Sequence, residues 1–372
     1  MGFSPLLRLL DSHQLLKVQS FTFIYTKTYS QLRSFKLRVF MTFFHPSQNL
    51  FFSTLLLGSL ITLSASSWLT AWIGLELNLL SFIPLISPKF NLYHAEAALK
   101  YFLSQVLGSI LILGRATWTL FRPLFTLPIL LALLLKLGAA PFHFWLPSVR
   151  EGVSWPHCII LLTIQKLAPI SLIPWATVTY TSYFVIIWRS ILSSLVGALG
   201  GFNQNLARKI LAFSSINHLA WLLAALIFCE KLWLIYFSSY CVVSWSVIFI
   251  LHDQQIFHLS QTQTIFSKSS PLKLFSILSF LSLGGLPPFL GFLPKWIVIF
   301  TLTKYKAFFW VLILIITTLI TLFFYLRFLI DSILILSPKF RSQPSQPSKF
   351  ILSSLFFVNT SPIFIIIPLL SN

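Results

Sequence analysis

Three charged residues lie deep inside apolar sequence. Glu76 sits in Trp72-Ile-Gly-Leu-Glu-Leu-Asn78, Lys136 in Leu134-Leu-Lys-Leu-Gly138, and Lys166 in Leu162-Thr-Ile-Gln-Lys-Leu-Ala-Pro169. If these runs cross a bilayer, each charge costs at least ~2.5–3.5 kcal/mol and requires an explanation. Snorkelling explains a lysine near a helix end, but Lys136 and Lys166 have apolar sequence on both sides. The chemistry such groups can perform is proton carriage. A lysine taken out of water holds its proton less firmly, and a nearby carboxylate restores its hold. Other ionisable groups leave two readings open. Glu96, Lys100 and Ser104 recur every four residues and share one helix face; Glu96 reads as a simple surface partner of Lys100, while Lys100 fits either that pair or a relay. His218 shares a face with Ser214; it fits a proton relay near its usual pKa or a hydrogen-bonded packing residue. His143 is a further candidate relay. Arg189, about six residues into the sixth apolar run, has no role assigned by the sequence, outward snorkelling being one reading.

Composition supports the membrane reading. The 372 residues are 57% hydrophobic and only 9% charged, with a formal charge of +19, where a soluble domain carries about a quarter charged residues. Nucleic-acid binding is a poor explanation of the charge, because the basic residues sit in short gaps between apolar runs rather than on one patch. Cationic loops of a membrane protein account for it better. Cys158, Cys229 and Cys241 lie in apolar stretches without a Cys-x-x-Cys, so each reads as buried and inert rather than as a cluster ligand. Gly197-Ala-Leu-Gly-Gly201 does not follow a strand and is a poor dinucleotide fingerprint. The chain is expected to bind no cofactor or metal of its own.

A crossing needs about 20 mostly apolar residues. About eleven such runs are predicted: Leu50–Ser67, Trp68–Ser87, Ala95–Leu113, Leu124–Trp145, Cys158–Thr177, Tyr183–Gly200, Ile210–Phe228, Leu232–Leu251, Leu274–Leu293, Ala307–Ile330 and Phe350–Leu370. Ser64-Ala-Ser-Ser67 offers the turn between the first two. Basic loop residues are more numerous on the side of Met41, which places that end on the negative side and, with an odd count, Asn372 on the other. Residues 1–40 are basic, rich in Ser and Thr, and carry Asp11 as their one acid. They read either as a mitochondrial presequence or as sequence upstream of a start at Met41. The functional domain is expected over residues 41–372.

The fourth and ninth spans are interrupted by helix breakers, and each break carries a lysine. They read Leu135-Lys-Leu-Gly-Ala-Ala-Pro-Phe-His-Phe-Trp-Leu-Pro147 and Leu283-Gly-Gly-Leu-Pro-Pro-Phe-Leu-Gly-Phe-Leu-Pro-Lys-Trp296. Broken helices at matching positions of two halves point to a transport site. The two breaks are five spans apart, so a repeat of five helices inserts upside down. The predicted fold is an all-α polytopic bundle of two inverted five-helix repeats with one added helix. Two unrelated kinks are the plainer alternative.

Trp72–Asn78, Glu96-Ala-Ala-Leu-Lys-Tyr-Phe-Leu103, Lys136–Trp145, Leu211-Ala-Phe-Ser-Ser-Ile-Asn-His218 and Leu283–Trp296 together resemble the second-subunit family of mitochondrial NADH–ubiquinone oxidoreductase, respiratory complex I. They occur in the family's order from Met41 nearly to the C-terminus. The resemblance implies an antiporter-like bundle of inverted repeats, in the animal form that lacks three N-terminal helices of bacterial relatives. It also implies proton translocation in the inner mitochondrial membrane, with Met41 on the matrix side and the C-terminus facing the intermembrane space. Translocation would be driven by electron transfer from NADH to ubiquinone. NADH, FMN, iron–sulfur clusters and ubiquinone belong to the whole complex, whose other membrane-arm subunits are the implied partners. The implied site is Glu76, Lys136, Lys166 and Lys295. Glu76 would alternately pair with and release Lys136, which passes its proton to Lys166 through ordered water, the chain ending at Lys295. Ser148 stands where the family often has a carboxylate, which puts that position's role in doubt, although Glu151 is near. The rival readings are a stand-alone cation/proton antiporter and a structural subunit whose charges only lock helices together.

Overall fold

Apolar runs in lipid have one way to satisfy their own amides and carbonyls without a closed barrel, and the described runs are helices. The structure is a computed structural model describing residues 46–87, 91–118, 127–177, 179–228, 230–262 and 270–333. The extension 1–40, the predicted span Phe350–Leu370 and Cys229 lie outside them. The chain divides into two units, Met1–Ser53 and Thr54–Asn372, and the contacts below belong to the second.

The helices are α1 (Pro46–Leu63), α2 (Trp68–Ile86), α3 (Leu92–Trp118), α4 (Leu127–Leu137), α5 (Trp145–Gly152), α6 (Trp155–Leu162) and α7 (Ile164–Ala176). They continue with α8 (Tyr180–Phe202), α9 (Ala207–Phe228), α10 (Glu230–Asp253), α11 (Ser270–Gly284), α12 (Phe292–Lys304) and α13 (Phe308–Ile333). Among the described residues seven helical stretches are long and apolar enough to cross a membrane, α6 and α7 counting as one; Ser47–Leu63, Leu127–Leu137 and Lys273–Gly284 are shorter apolar helices. The chain is a multi-pass helical membrane protein. Ser64–Ser67 turns it as expected, with the Ser67 hydroxyl accepting from the Thr70 amide at 3.3 Å as an N-cap.

Three predicted spans are not single helices. The fourth stops at Leu137, passes through turns, and resumes as α5. The ninth stops at Gly284 and resumes as α12, so Lys295 lies inside a second half-helix rather than beyond the end of a span. Each break begins with a glycine at positive φ, Gly138 (74°) and Gly285 (78°), a conformation open to residues without a Cβ. Each also contains a cis peptide bond, Ala140–Pro141 and Pro287–Pro288. The fifth span is interrupted at Thr163, with no glycine nearby. Pro169 follows in α7, and proline cannot donate to the carbonyl four residues back.

The bundle is organised around α9, which is buried on nearly all sides and packs against α8, α10 and α13. Small residues bring helices close. A Cβ at Gly74 would lie 2.8 Å from the Gly58 carbonyl oxygen and 2.6 Å from Thr62 Cγ2, and one at Gly197 would lie 2.7 Å from the Asn217 amide. The buried serines are satisfied within their own helices. Ser190, Ser193, Ser214, Ser215, Ser276 and Ser279 each donate to the carbonyl three residues earlier.

Gly74→Val forces a branched side chain against the α1 backbone, an overpacking worth about 1–3 kcal/mol. It is expected to lower the thermal midpoint of the detergent-solubilised chain by several degrees. Gly114→Ala, whose Cβ meets nothing within 4 Å, should leave the midpoint unchanged or slightly higher. Equal midpoints for the two variants would contradict the α1–α2 contact.

Candidate proton-transfer site

All three lysines of the predicted site lie beside a helix discontinuity. Lys136 is the penultimate residue of α4, Lys166 follows the Thr163 interruption, and Lys295 is the fourth residue of α12. They are 5, 3 and 6% exposed. The association has a physical reason: a broken helix exposes carbonyls that in hydrocarbon need donors or a wet cavity, and side chains of this bundle supply the donors. At the first break Trp145 Nε1 donates to the Leu135 carbonyl at 3.1 Å, and Gln105 Nε2 to that of Lys136 at 3.4 Å. Arg189 Nη1 donates to the Ala140 carbonyl at 3.1 Å. At the second, Lys295 Nζ donates to the Gly284 carbonyl at 2.7 Å. Lys166 Nζ crosses to α9 and donates to the Ser215 carbonyl at 3.1 Å.

Glu76 is half-buried, and its Oε1 is shielded from solvent without a hydrogen-bond partner. Its charge acts on Lys136 and on Tyr101, but it is not in contact with Lys136. The ion pairs among the described residues are Lys100–Glu96 at 2.6 Å and Lys209–Glu151 at 2.8 Å. Gly108 makes room for the Lys136 side chain, since a Cβ there would fall 2.9 Å from its Cγ. Two residues after Glu76, the Asn78 amide oxygen accepts from Gln165 Nε2 at 3.2 Å, and Gln165 Oε1 accepts from the Tyr101 hydroxyl at 2.9 Å. This bridge ties α2, α3 and α7 together beside the two lysines.

Two small cavities lie beside these groups. One is bounded by both Lys136 and Lys166, with Tyr101, Gln105, Trp145 and Gln165 on its walls. The other is bounded by His218, Tyr236, Tyr240, Ser282, Gly291 and Pro294, next to Lys295. The first has room for about one water beside Lys136, Lys166, Tyr101 and Gln165. Between the cavities, Lys166 Nζ lies 5.5 Å from the centre of the Tyr240 ring. The Tyr240 ring lies tilted with its centre 5.1 Å from that of His218, whose Nδ1 shares a 3.0 Å hydrogen bond with the Tyr236 hydroxyl. The charges of Lys295 and Lys166 both act on His218. Lys136 and Lys166 thus border one cavity, and His218 borders a second that reaches Pro294, the neighbour of Lys295 in sequence.

The remaining sequence candidates lie elsewhere. Lys100 is on the outside, paired with Glu96, the pair 47 and 60% exposed. His143 is half-buried, its Nδ1 near the Pro141 carbonyl at 3.2 Å and its ring against Phe144. The Ser148 hydroxyl donates to the Trp145 carbonyl, and Glu151 is engaged by Lys209. Arg189 does not snorkel outward; its carbonyl contact and the Phe142 ring, 4.7 Å away, hold it at the first break. Sequence reasoning missed Tyr101, Gln165 and Tyr240. Tyr101 and Gln165 each adjoin a lysine already singled out, a signal that was available, whereas nothing near Tyr240 marks it. It also missed Arg150, whose guanidinium is fully buried without a hydrogen-bond partner. Among the described residues no cluster of three His, Cys, Asp or Glu is placed to hold a metal.

A multi-pass helical bundle with amines buried at broken helices is an antiporter-like membrane domain. The family described as NADH:quinone oxidoreductase/Mrp antiporter, TM, matches residues 65–122 and 114–321. An Anopheles gambiae protein named NADH-ubiquinone oxidoreductase chain 2 is 46% identical over 291 residues, 76% of this chain and 84% of that protein. The chain belongs to the family of NADH-ubiquinone oxidoreductase chain 2 proteins. Among solved structures, a chain of respiratory complex I from Thermus thermophilus superposes with TM-score 0.73 at 24% identity, covering 86% of this chain and 76% of that one. A chain of the Mrp complex from a Dietzia species gives 0.70 at 17%, covering 78% and 61%.

Gly285→Ala must adopt positive φ and place its Cβ 2.9 Å from Lys295 Nζ, whereas the nearest atoms to a Cβ at Gly284 are at 3.7 Å. The Gly285 variant is therefore expected to be less stable than Gly284→Ala by about 1–2 kcal/mol, read as a difference in unfolding midpoint in detergent. Equal stability would contradict the described geometry of the second break.

Proposed function

We propose that this chain is the proton-translocating second subunit of the membrane arm of a mitochondrial NADH:ubiquinone oxidoreductase, with Glu76, Lys136, Lys166 and Lys295 as its proton-handling groups and His218 as a relay. The observation that carries this reading is the single cavity bounded by both Lys136 and Lys166, continued through Tyr240 and His218 to the break beside Lys295. The family supplies the context. The curated relatives are named for NADH-ubiquinone oxidoreductase, which favours a redox-driven complex over a stand-alone antiporter.

The architecture proposed with it is two inverted five-helix repeats, about eleven spans in all, with an added helix over Phe350–Leu370. The matching glycines of positive φ in the fourth and ninth spans, each near a buried lysine, support the symmetry. In this reading the protein lies in the inner mitochondrial membrane, Met41 on the matrix side and the C-terminus facing the intermembrane space. Its partners are the bilayer and other membrane-arm subunits. NADH, FMN, iron–sulfur clusters and ubiquinone are used elsewhere in the complex, and this chain holds no redox centre.

In the mechanism, contact with Glu76 holds the proton on Lys136. In the other half of the cycle Glu76 and Lys136 separate. On release, Lys136 passes its proton by way of one water to Lys166. Tyr101 and Gln165 fix the walls of that gap, and His218 connects Lys166 to Lys295. Moving one charge against roughly 150 mV takes about 3.5 kcal/mol. A change of ~2.5 pKa units in one group supplies that amount, within reach of one desolvated Glu–Lys contact.

Lys136→Ala in the assembled complex is expected to lower the protons moved per NADH oxidised, with assembly retained; an unchanged ratio would reject Lys136 as a carrier. Glu76→Gln should slow turnover severalfold without preventing assembly. Full turnover in that variant removes Glu76 from the scheme, and normal pumping by Lys136→Met would favour the purely structural reading.

A further inference from the structure

We infer that Arg189 is a positioning residue for proton transfer at Lys136: it holds the broken segment of the fourth span by a permanently charged cap, leaving Lys136 to face the cavity. The inference rests on the assignment of Lys136 as a proton carrier. Arg189 lies in α8, inside an apolar span where a charge demands a reason. Its Nη1 donates to the Ala140 carbonyl at 3.1 Å, and its guanidinium lies 4.7 Å from the centre of the Phe142 ring. Both contacts fall within the turns between Leu137 and Trp145, so one side chain grips that segment at two points.

The two breaks differ in which residue caps them. At the second, the carbonyl of Gly284, the last residue of α11, accepts from Lys295 itself. At the first, the neutral donors Trp145 and Gln105 serve Leu135 and Lys136, and the charged donor comes from a neighbouring helix. A lysine cap weakens when the amine gives up its proton, whereas a guanidinium stays charged at any accessible pH. The Arg189 cap therefore persists through both protonation states of Lys136. The distance from Lys136 to Glu76 and to the cavity is then set by Glu76 and the amine, not by slack in the break.

The test compares Arg189→Met, Arg189→Lys and Phe142→Leu with Lys136→Ala in the assembled complex, measuring NADH oxidation and protons moved per NADH over a range of pH. Arg189→Met is expected to reproduce the deficit of Lys136→Ala in protons per NADH, with a displaced pH profile. Arg189→Lys should recover at least half of that deficit, because the charge returns without the planar fork. Phe142→Leu should give a smaller deficit of the same kind. A purely structural role would lower the amount of complex while leaving the ratio and pH profile of the surviving complex at wild-type values, and that result would overturn the inference. If Arg189→Met does not assemble, wild-type ratios in both Arg189→Lys and Phe142→Leu overturn it equally. Should Lys136→Ala itself leave the ratio unchanged, the carrier assignment fails first. A deficit in Lys136→Ala without one in the Arg189 and Phe142 variants rejects the positioning role alone.

Discussion

Hydrocarbon does not solvate a peptide bond, so each carbonyl freed by breaking a membrane helix must find a donor inside the protein. This chain breaks its helices beside all three buried lysines, and the repairs are visible one by one. Trp145, Gln105 and Arg189 close the break after Lys136. Lys295 closes the one before itself. The breaks are what make room for polar groups at this depth: the carbonyls attract amines, the amines need water, and the glycines at 138 and 285 allow the backbone to turn. The site is a consequence of where the chain stops being helical.

The rest of the bundle keeps those interruptions in register. Glycines at 58, 74 and 197 let backbones approach closely, and serines that bond within their own helices place hydroxyls in the interior without demanding outside partners. α9 runs through the centre and contributes both the Ser215 carbonyl that receives Lys166 and the His218 ring that leads toward Lys295. One central helix thus meets both Lys166 and the cavity beside the second break.

Much of this was legible in the sequence, for a simple reason: length and apolarity alone define a span. The turn at Ser64–Ser67, the breaks in the fourth and ninth spans and the buried Lys136 and Lys166 follow from local residue types. What was not legible depended on contacts between distant segments. Thr163 carries no breaker, and neither a glycine nor a proline marks the interruption there in the sequence. Arg189 looked like a snorkelling charge because its partner, the Ala140 carbonyl, is 49 residues away in sequence. Lys100 fitted either of two roles until the pair with Glu96 was located on the outer surface. Tyr240 reaches Lys166 across helices and leaves no local pattern.

The central claim is that the buried amines communicate through water confined at the helix breaks. A high-resolution experimental structure of the assembled complex, with ordered waters resolved, addresses it directly. The account predicts a water within hydrogen-bonding distance of both Lys136 and Lys166, or one step from each, and both amines turned inward. A dry gap between them, or either amine turned out to the lipid, would contradict it.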